Sequence, residues 1–417
     1  MTNRLFPQSG RSWGDVKAQM EATRRDDLPW RHARIFKPAY FAGEDLVRVA
    51  NAAFDMYISD NALYGGTSYP SLGRYESDVV TMLLELFDAP EGAGGSVTAG
   101  GTESNMMAVK TARDWARVHR PAARDPEILL PRTAHPSFDK AAQMFGVKPV
   151  RMAHSPNFRA DIEEIGKAIN DNTIMLVGSA PPYPYGTTDP IDALSQLAQR
   201  HTLWLHVDAC IGGFILPFAR RLGRAIPAFD FSLPGVTSIS VDVHKFGYAN
   251  KGISVLALRD KTLESFQRTT FDAWPSGLYS TPNITGSRSG GAVASAWAVM
   301  NYLGQDGYKE RVRAILGIRD RIIEGIRSIP ALEVWGDPHA YNFSFGSKQI
   351  DIDAVADGLG DRDWLVGRAL EPPSIQLMVN MAHQDIVEPF IADLAAAVRD
   401  VEAGHRKSRG EKAVYAI

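Results

Sequence analysis

The sequence predicts an α/β fold in which a large, mostly parallel β-sheet domain is followed by a smaller C-terminal α+β domain. Short, continuously apolar segments alternate with helical segments, which is typical of a parallel sheet covered by helices on both faces. Polar residues directly follow several of these segments, at the strand ends where such sheets bind ligands. After Leu303 a long charged helical segment replaces the alternation. We therefore divide the chain into an N-terminal arm with one helix (residues 1–58), a large domain (59–303) and a small domain (304–417).

Hydrophobic periodicity and turn residues define the predicted elements of each part. In the arm, one helix is predicted over residues 44–57. In the large domain, the predicted strands are residues 96–99, 174–177, 203–208, 237–241 and 253–258, and the predicted helices are residues 103–118 and 191–200. In the small domain, the predicted helices are residues 308–329, 352–359 and 388–403, and the predicted strands are residues 332–335, 341–345 and 374–379.

Composition and charge exclude several classes of protein. Of the 417 residues, 45% are hydrophobic and 22% are charged, which is enough to bury a large core. The net charge of −3 gives no basic excess for binding nucleic acid. The single cysteine, Cys210, excludes an intramolecular disulfide framework and a multi-cysteine metal site, so we expect no metal. Because neither a secretory signal nor a membrane span is indicated, we expect a cytoplasmic enzyme without a transmembrane anchor.

The segment Thr-Ala-Gly-Gly-Thr-Glu-Ser, residues 98–104, follows the first predicted strand and opens a helix. Its glycines let the backbone approach a ligand closely, and the free N–H groups of a first helical turn favour an anion. The alternative is an ordinary glycine turn in which Thr102 caps the helix. Taken alone, the segment does not decide between an anion site and a turn.

Two charged residues follow later buried strands. Asp208 ends a His-Val-Asp segment, and it either caps a helix, joins an ion pair or holds a cationic heteroaromatic nitrogen. Lys245 follows Ser-Val-Asp-Val-His and precedes apolar residues, so we expect desolvation to lower its pKa and permit a Schiff base. A solvated lysine is the alternative. The two residues lie 37 positions apart, which leaves room for one helix and one strand, so both can face one crevice.

The ordered combination of these three features is that of pyridoxal phosphate enzymes. In such a site an aspartate partners the pyridinium nitrogen, a lysine forms a Schiff base with the cofactor, and a glycine-rich helix start takes the phosphate. The sequence therefore predicts pyridoxal 5'-phosphate as the cofactor.

Six segments of the chain resemble the sphingosine-1-phosphate lyases, a group II decarboxylase-like family of fold-type-I pyridoxal phosphate enzymes. They are residues 98–104, 135–140, 178–181, 206–218, 242–252 and 274–290. The Asp-Ala-Cys and Gly-Ser-Arg-Ser-Gly segments resemble the lyases more than they resemble glutamate or aromatic amino-acid decarboxylases. The resemblance implies the fold-type-I transferase fold and a role in sphingolipid metabolism. The implied reaction is retro-aldol cleavage of a phosphorylated long-chain amino alcohol to a fatty aldehyde and phosphoethanolamine.

The resemblance also implies roles for individual residues. Lys245 would form the Schiff base, Asp208 would keep the ring nitrogen protonated, and His135 would stack on the ring face. Contacts with the cofactor phosphate are implied for Gly101, Thr102, His244 and, from a second subunit, Ser289, and a contact with the ring hydroxyl is implied for Ser179. Cys210 is expected to pack near the ring as a small apolar residue with a raised thiol pKa. A homodimer with shared active sites follows.

The residues implied in substrate binding are where the sequence departs from the family pattern. The family binds the substrate phosphate with a Tyr, a His and a Lys. Lys251 matches the lysine, although a solvated loop lysine is the alternative, and either Tyr40 or Phe41 matches the tyrosine. Tyr64 stands in place of the histidine and carries no charge at neutral pH. We therefore expect weaker phosphate recognition, or a related amine or amino acid as the substrate.

Three hypotheses for the function follow. The first is a pyridoxal phosphate-dependent carbon–carbon lyase acting on a phosphorylated, lipid-like amine. The second is an amino-acid decarboxylase of the same fold. The third is a catalytically silent homologue, and the intact pair of Asp208 and Lys245 argues against it.

Overall fold

The computed structural model describes residues 6–29, 31–410 and 413. Residues 1–5 and 30 of the predicted arm, and residues 411–412 and 414–417 of the predicted small domain, lie outside the described residues. The helices are α1 (Trp13–Thr23), α2 (Glu44–Tyr57), α3 (Pro70–Leu86), α4 (Gly101–His119), α5 (Ser137–Phe145), α6 (Ile162–Ala168), α7 (Ile191–His201), α8 (Leu216–Arg221), α9 (Glu264–Gln267), α10 (Gly290–Arg327), α11 (Ile352–Gly360) and α12 (Val387–Glu402). The strands are β1 (Gly94–Thr98), β2 (Glu127–Pro131), β3 (Lys148–Met152), β4 (Thr173–Ser179), β5 (Trp204–Asp208), β6 (Ser238–Val241), β7 (Ser254–Leu258), β8 (Thr269–Phe271), β9 (Tyr279–Thr281), β10 (Glu333–Val334), β11 (Asn342–Gly346), β12 (Gly367–Leu370) and β13 (Pro373–Met378).

A seven-stranded sheet forms the centre of the fold, in the order β1-β7-β6-β5-β4-β2-β3. Strands β3, β2, β4, β5 and β6 pair in parallel, and β7 and β1 complete one edge by antiparallel pairing. The central strands β4 and β5 are buried along their whole length, as continuous apolar runs predict. The large, mostly parallel sheet predicted from the sequence is confirmed.

Side chains along these strands alternate between hydrophobic cores on the two faces of the sheet. In β2, Ile128 and Leu130 join residues of α4 and α5 in one core, whereas Leu129 joins the core on the opposite face. That second core also contains residues of α2, α3, α7, α8 and α10. Because helices cover both faces, a ligand reaches the sheet at its strand ends.

A second, antiparallel sheet has the order β10-β11-β13-β12, and it packs against α11. The largest departure from the predicted elements is α10, which begins at Gly290 rather than at residue 308. Its first part is rich in small residues and lacks the charge pattern that predicts the second part. Non-helical geometry at Gly304 (φ 56°, ψ −177°) interrupts it, beside the predicted boundary after Leu303. The boundaries at 58 and 303 stay predictions.

Eleven further elements lie where the sequence pattern assigned neither helix nor strand: α1, α3, α5, α6, α8, α9, β2, β3, β8, β9 and β12. The prediction of one helix in the arm is therefore wrong, because α1 precedes α2 there. A short apolar run such as that of β2 fits a buried helix and a buried strand equally well, and only its neighbours decide between them. Across the described ranges, the structure contains no helix whose length and apolarity would let it cross a membrane.

Candidate active site

A cavity of about 670 Å³ lies at the carboxyl ends of β4, β5 and β6, beside the N-terminus of α4. Among the residues predicted from the sequence, its lining contains Gly101, Thr102, His135, Ser179, Asp208, His244 and Lys245. The structure thus brings the glycine segment, the aspartate and the lysine together in one crevice. Tyr40, Tyr64, Lys251 and Ser289 are not among the residues that line it.

Lys245 forms an ion pair with Asp242 inside this cavity. Its Nζ lies 2.8 Å from Asp242 Oδ2, and Asp242 is almost completely buried. Burial opposes the charged ammonium group, but the nearby Asp242 carboxylate outweighs it, and the pKa of Lys245 is raised. The expectation of a lowered pKa at Lys245 is therefore wrong, because the desolvated lysine has a buried counter-charge three residues before it.

The carboxylate of Asp208 is held by hydrogen bonds at both oxygens. Asn105 Nδ2 donates to Oδ2 at 3.0 Å, and the backbone N–H of Cys210 donates to Oδ1 at 3.0 Å. Ser240 Oγ lies at 3.5 Å from Oδ1, at the limit of a hydrogen bond. Asn105 and Cys210 thus place one donor at each oxygen of the carboxylate. Asp208 is therefore poised to accept one more hydrogen from a group in the cavity.

The N-terminus of α4 approaches the charged pair very closely. A Cβ atom at Gly101 would lie 2.6 and 2.7 Å from the two Asp242 oxygens and 2.7 Å from Cys210 Sγ. Glycine is therefore required at position 101 by close approach. The helix cap is Gly100 and not Thr102, so the alternative in which Thr102 caps the helix is wrong. Thr102 is the second residue of α4 and is exposed at the cavity.

Two histidines of the cavity are uncharged at neutral pH. Burial lowers the pKa of His244 to about 4, although Asp242, at 3.6 Å from His244 Nε2, favours the charged form. The backbone N–H of Ile253 donates to His244 Nδ1, which leaves the ring proton on Nε2. Burial likewise lowers the pKa of His135, whose Nδ1 accepts the backbone N–H of Ser137. Each ring can therefore donate from Nε2.

Ser179 is the last residue of β4 and lies in the lining of the cavity. Its Oγ is buried and has no hydrogen-bond partner among the described residues. Its backbone N–H donates at 2.7 Å to the fully buried carboxylate of Asp189, which also accepts the N–H of Ala160. The backbone at Ser179 is thus fixed while its hydroxyl is left available to a ligand.

Cys210 lies in the cavity lining and is buried. Burial raises the pKa of its thiol, and its Sγ donates to Ser240 Oγ at 3.4 Å. The predicted rise of the thiol pKa is confirmed. A thiol that stays protonated is a poor nucleophile, so Cys210 contributes packing to this site.

Tyr40 and Lys251 form a pair beside the cavity. Lys251 Nζ lies 4.4 Å from the centre of the Tyr40 ring and donates to the carbonyl oxygen of His244 at 2.8 Å. Although Lys251 reaches the surface, partial burial of its ammonium group and the charge of Lys245 lower its pKa to about 8. Tyr40, one of the two aromatic residues that match the family tyrosine, thus contacts Lys251.

Tyr64 and Ser289 lie close together, away from this cavity. Asn61 caps the short turn that carries Tyr64, and it pairs with Ser289 in an isolated antiparallel bridge. Ser289 caps α10 through the N–H of Gly291, and about half of Tyr64 is exposed. Both residues therefore lie near Asn61, and neither belongs to the lining of the chain's own cavity.

Sequence reasoning missed two residues near the start of α4, Glu103 and Asn105. Asn105 binds Asp208, as described above. The carboxylate of Glu103 accepts the backbone N–H groups of Ala99, Ile284 and Thr285 and so ties the segment to a distant loop. Both side chains are buried although they are polar. Such burial within a helix that covers the sheet is the signal that could have found them, but it requires the helix's buried face to be known.

Comparison with known proteins identifies the family. A family model described as the pyridoxal-dependent decarboxylase conserved domain matches residues 3–348. The chain is 41% identical over 397 residues to a sphingosine-1-phosphate lyase of Arabidopsis thaliana, covering 93% of this chain and 72% of that protein. The chain belongs to the sphingosine-1-phosphate lyase family. A sphingosine-1-phosphate lyase of Saccharomyces cerevisiae is 36% identical over 422 residues, covering 99% of this chain and 71% of that protein.

Solved structures of related proteins have the same fold. A sphingosine-1-phosphate lyase of Burkholderia pseudomallei superposes with a TM-score of 0.92 at 37% identity, covering 96% of this chain and 94% of that chain. A glutamate decarboxylase of Lactobacillus brevis, at a TM-score of 0.82 and 20% identity over 96% of each chain, shows the fold alone. The fold-type-I class predicted from the sequence is confirmed. Like the lyase family as a whole, the chain is a pyridoxal phosphate-dependent lyase.

The residues of the cavity fit pyridoxal phosphate. Two buried polar atoms at the cavity, Ser179 Oγ and Asp242 Oδ1, lack a hydrogen-bond partner in the described part of the chain. The absence of a side chain at Gly101 leaves the start of α4 open towards Asp242, and a helix N-terminus favours a phosphate group. The carboxylate of Asp208, held by a donor at each oxygen, suits a protonated ring nitrogen as its further partner.

Proposed function

We propose that this chain cleaves a carbon–carbon bond in a phosphorylated long-chain amino alcohol such as sphingosine 1-phosphate, giving a fatty aldehyde and phosphoethanolamine. The observation that carries the proposal is one cavity that holds Lys245 and the fixed carboxylate of Asp208, with the Tyr40–Lys251 pair beside it. The names of the relatives support the choice of substrate.

In this proposal Asp208 and Lys245 have separate roles toward the cofactor. When bound, pyridoxal phosphate supplies an electron sink for the pair of electrons that is released when a bond at the aminated carbon breaks. Asp208 would hold a proton on the ring nitrogen, which would keep that sink effective. Lys245 Nζ would be the attachment point for the cofactor aldehyde, and His135 would lie against the ring. These roles follow the resemblance and are supported by the placement of all three residues in the cavity.

Lys251 and Tyr40 bind the phosphate group of the substrate in this proposal. With a pKa of about 8, Lys251 is mostly protonated at neutral pH, and its ammonium group can donate to a phosphate oxygen. Fixing the phosphate end would orient the rest of the substrate in the cavity, and this orientation would select the bond to the hydroxylated carbon for cleavage.

A second cavity of about 540 Å³ adjoins the first and suits the hydrocarbon chain of the substrate. The two cavities share His135 and Tyr183 in their linings. The second also contains apolar surface from Pro184, Tyr185 and Leu370. A long alkyl chain gains about 0.8 kcal/mol for each methylene that it buries, so such a surface favours a lipid-like amine over a free amino acid.

The assay that tests this proposal compares two products. Purified protein loaded with pyridoxal phosphate is incubated with sphingosine 1-phosphate and, separately, with a panel of L-amino acids. Long-chain aldehyde from the first incubation supports the proposal. The competing hypothesis is amino-acid decarboxylation, and one relative at 33% identity over 339 residues is called a probable L-tyrosine/L-aspartate decarboxylase. Carbon dioxide without aldehyde would establish that activity instead and refute the lyase.

We also propose a homodimer in which Ser289 and Tyr64 serve the partner's active site. Their position away from the chain's own cavity supports this arrangement, as does α1, which has no buried residue. The variant Ser289→Asp keeps a helix cap but places a negative charge where the cofactor phosphate would lie. It should be inactive alone and should regain activity when coexpressed with inactive Lys245→Ala, because one site of the mixed dimer is then intact. Absence of such rescue, or a monomer by light scattering, contradicts the shared site.

A cytoplasmic location is part of the same proposal. Cys210 is the only cysteine, so the chain has no intramolecular disulfide to maintain, which is typical of reducing compartments. Fractionation of cells that produce the tagged chain should recover it with cytosolic markers, and recovery in the membrane pellet would contradict this location.

A further inference from the structure

The strand that carries Asp208 has polar side chains on one buried face. Trp204, His206 and Asp208 alternate along β5, so they share a face, and Ser238 and Ser240 of the neighbouring β6 lie opposite His206 and Asp208. All five residues are buried. Central strands of a parallel sheet are normally apolar on both faces. This set of polar residues therefore needs a reason beyond packing.

The hydrogen bonds of the set run in one direction from the indole of Trp204. Trp204 Nε1 can only donate, and it donates to Ser238 Oγ at 2.8 Å. Ser238 Oγ lies 2.8 Å from His206 Nδ1, and this nitrogen is the one acceptor that its hydrogen can reach in the described part of the chain, so the hydrogen is directed at it. His206 Nδ1 is then the acceptor, and the single ring proton lies on Nε2.

The side-chain amide of Asn105, in α4, connects His206 with the residues of the cavity. Its Oδ1 accepts from His206 Nε2 at 3.2 Å and from Ser240 Oγ at 2.7 Å. Its Nδ2 donates to Asp208 Oδ2 at 3.0 Å and to Ser137 Oγ at 2.9 Å. All the donors and acceptors of the amide are thus used. The Ser137 hydroxyl lies in turn 2.9 Å from Nδ1 of His135 in the cavity.

The opposite tautomer of His206 would break this arrangement. With its proton on Nδ1, His206 would point a lone pair at Asn105 Oδ1, and two acceptors would face each other. Rotating the amide to avoid this would place Oδ1 against the Asp208 carboxylate. A doubly protonated ring is also disfavoured, since burial lowers the pKa of His206 to about 4, and Asp208 is the one opposing charge that acts on it within the described ranges.

We propose that His206, as the neutral Nε2–H tautomer, is a positioning residue that sets the orientation of the Asn105 amide. Through that amide it fixes the Asp208 carboxylate and, by way of Ser137, the ring of His135. One buried histidine thereby couples the group proposed to lie at the cofactor nitrogen with the group proposed to lie on the cofactor face. The inference rests on the proposed roles of Asp208 and His135.

The first test measures the tautomer directly in the full chain, with and without pyridoxal phosphate. The protein is labelled with ¹⁵N-histidine, and the His206 signals are assigned by their loss in His206→Gln. Long-range ¹⁵N–¹H correlations should show the Nε2–H tautomer, unchanged from about pH 6 to about pH 8. A proton on Nδ1, or titration of His206 within that range, would overturn the inference. This measurement does not depend on catalysis, so it stands even if the proposed reaction is wrong.

The second test compares two substitutions in the loaded enzyme. His206→Gln keeps a donor near the position of Nε2, whereas His206→Phe keeps an aromatic ring and removes the donor. We expect kcat to fall about 10- to 100-fold in His206→Phe, with little change in KM. In His206→Gln, kcat should stay within about threefold of the parent. The reason is that only His206→Phe loses the hydrogen bond to Asn105, which in turn holds the Asp208 carboxylate. Equal losses in both variants, or none in His206→Phe, would refute the positioning role. If His206→Phe does not fold, as judged by circular dichroism, the tautomer measurement decides.

The two proposals can fail separately. A Lys245 that carries no cofactor adduct would refute the proposed function and leave the tautomer result in place. A His206 that is protonated on Nδ1 in an active lyase would refute only the positioning role.

Discussion

Replacing Gly101 with alanine tests how closely α4 must approach the site. The added Cβ would lie 2.6 and 2.7 Å from the Asp242 oxygens and 2.7 Å from Cys210 Sγ. Non-bonded heavy atoms prefer separations of about 3.5–4.0 Å, so contacts this short must be relieved by movement. Asp242 is buried and bound to Lys245, so it cannot swing into solvent. The start of α4 must therefore retreat from the cavity.

The magnitude follows from the cost of overpacking a buried site. One extra methyl group in a well-packed interior costs about 1–3 kcal/mol. If this strain is borne by the site that receives the cofactor phosphate, the affinity for pyridoxal phosphate falls about 5- to 150-fold. The loss arises because the N–H groups of the first helical turn are carried away from the phosphate as the helix moves.

The assay titrates cofactor-free protein with pyridoxal phosphate and follows the absorbance of the bound form. Gly100→Ala is the matched control, because its Cβ would meet only His244 Cε1, at 3.3 Å. Gly100 also has an extended backbone that any residue adopts. We expect a large loss of affinity for Gly101→Ala and a small one for Gly100→Ala, with both variants folded by circular dichroism. Equal losses, or unchanged affinity in Gly101→Ala, would refute the close-approach argument.

Three further predictions concern separate parts of the molecule. Lys245→Ala should abolish turnover without unfolding the protein, and borohydride reduction followed by peptide mapping should place a pyridoxyl adduct on Lys245 of the parent; an adduct on another lysine would show that the wrong residue was chosen. Tyr64→His should raise the kcat/KM ratio of phosphorylated to free amines by about tenfold, because histidine can carry a positive charge, and an unchanged ratio would place Tyr64 outside the phosphate pocket. His383 is buried between the N–H of Asn380 and the carbonyl of Ile35, and burial lowers its pKa from 6.5 to about 4. Between these values only the unfolded chain binds the proton at this histidine, so His383 should lower stability as the pH drops below about 6.5, by about 2 kcal/mol at about pH 5. Thermal unfolding should show a smaller fall for His383→Gln, and an identical pH dependence in both proteins would contradict this explanation.

Much of the fold was predictable because short segments of the sequence have the hydrophobic patterns of their helices and strands. The helix α2 lies at the predicted residues 44–57, and the buried strands β5 and β6 begin within one residue of their predicted starts. Continuous apolar runs between helices leave few alternatives to a covered parallel sheet. The first part of α10 was not predictable in this way, because small residues without charge periodicity are compatible with helix and loop.

The candidate site was predictable only in part. Chain order and strand ends were sufficient to bring Asp208 and Lys245 to one cavity. The sign of the pKa shift at Lys245 was not predictable, because it depends on whether the carboxylate of Asp242 points towards the ammonium group or away from it. Both residues lie in the turn that follows β6, and the sequence does not specify the geometry of that turn.

By itself, the sequence determined the family, the cofactor and the segments that surround it, because each is encoded in residues that are close along the chain. The tertiary structure alone decided which polar side chains meet across elements. Asn105 and Asp208 lie 103 positions apart, and their hydrogen bond exists because α4 packs across β5 and β6. Local pattern fixes which face of an element is buried, but the partner of a buried polar atom is chosen by packing in three dimensions.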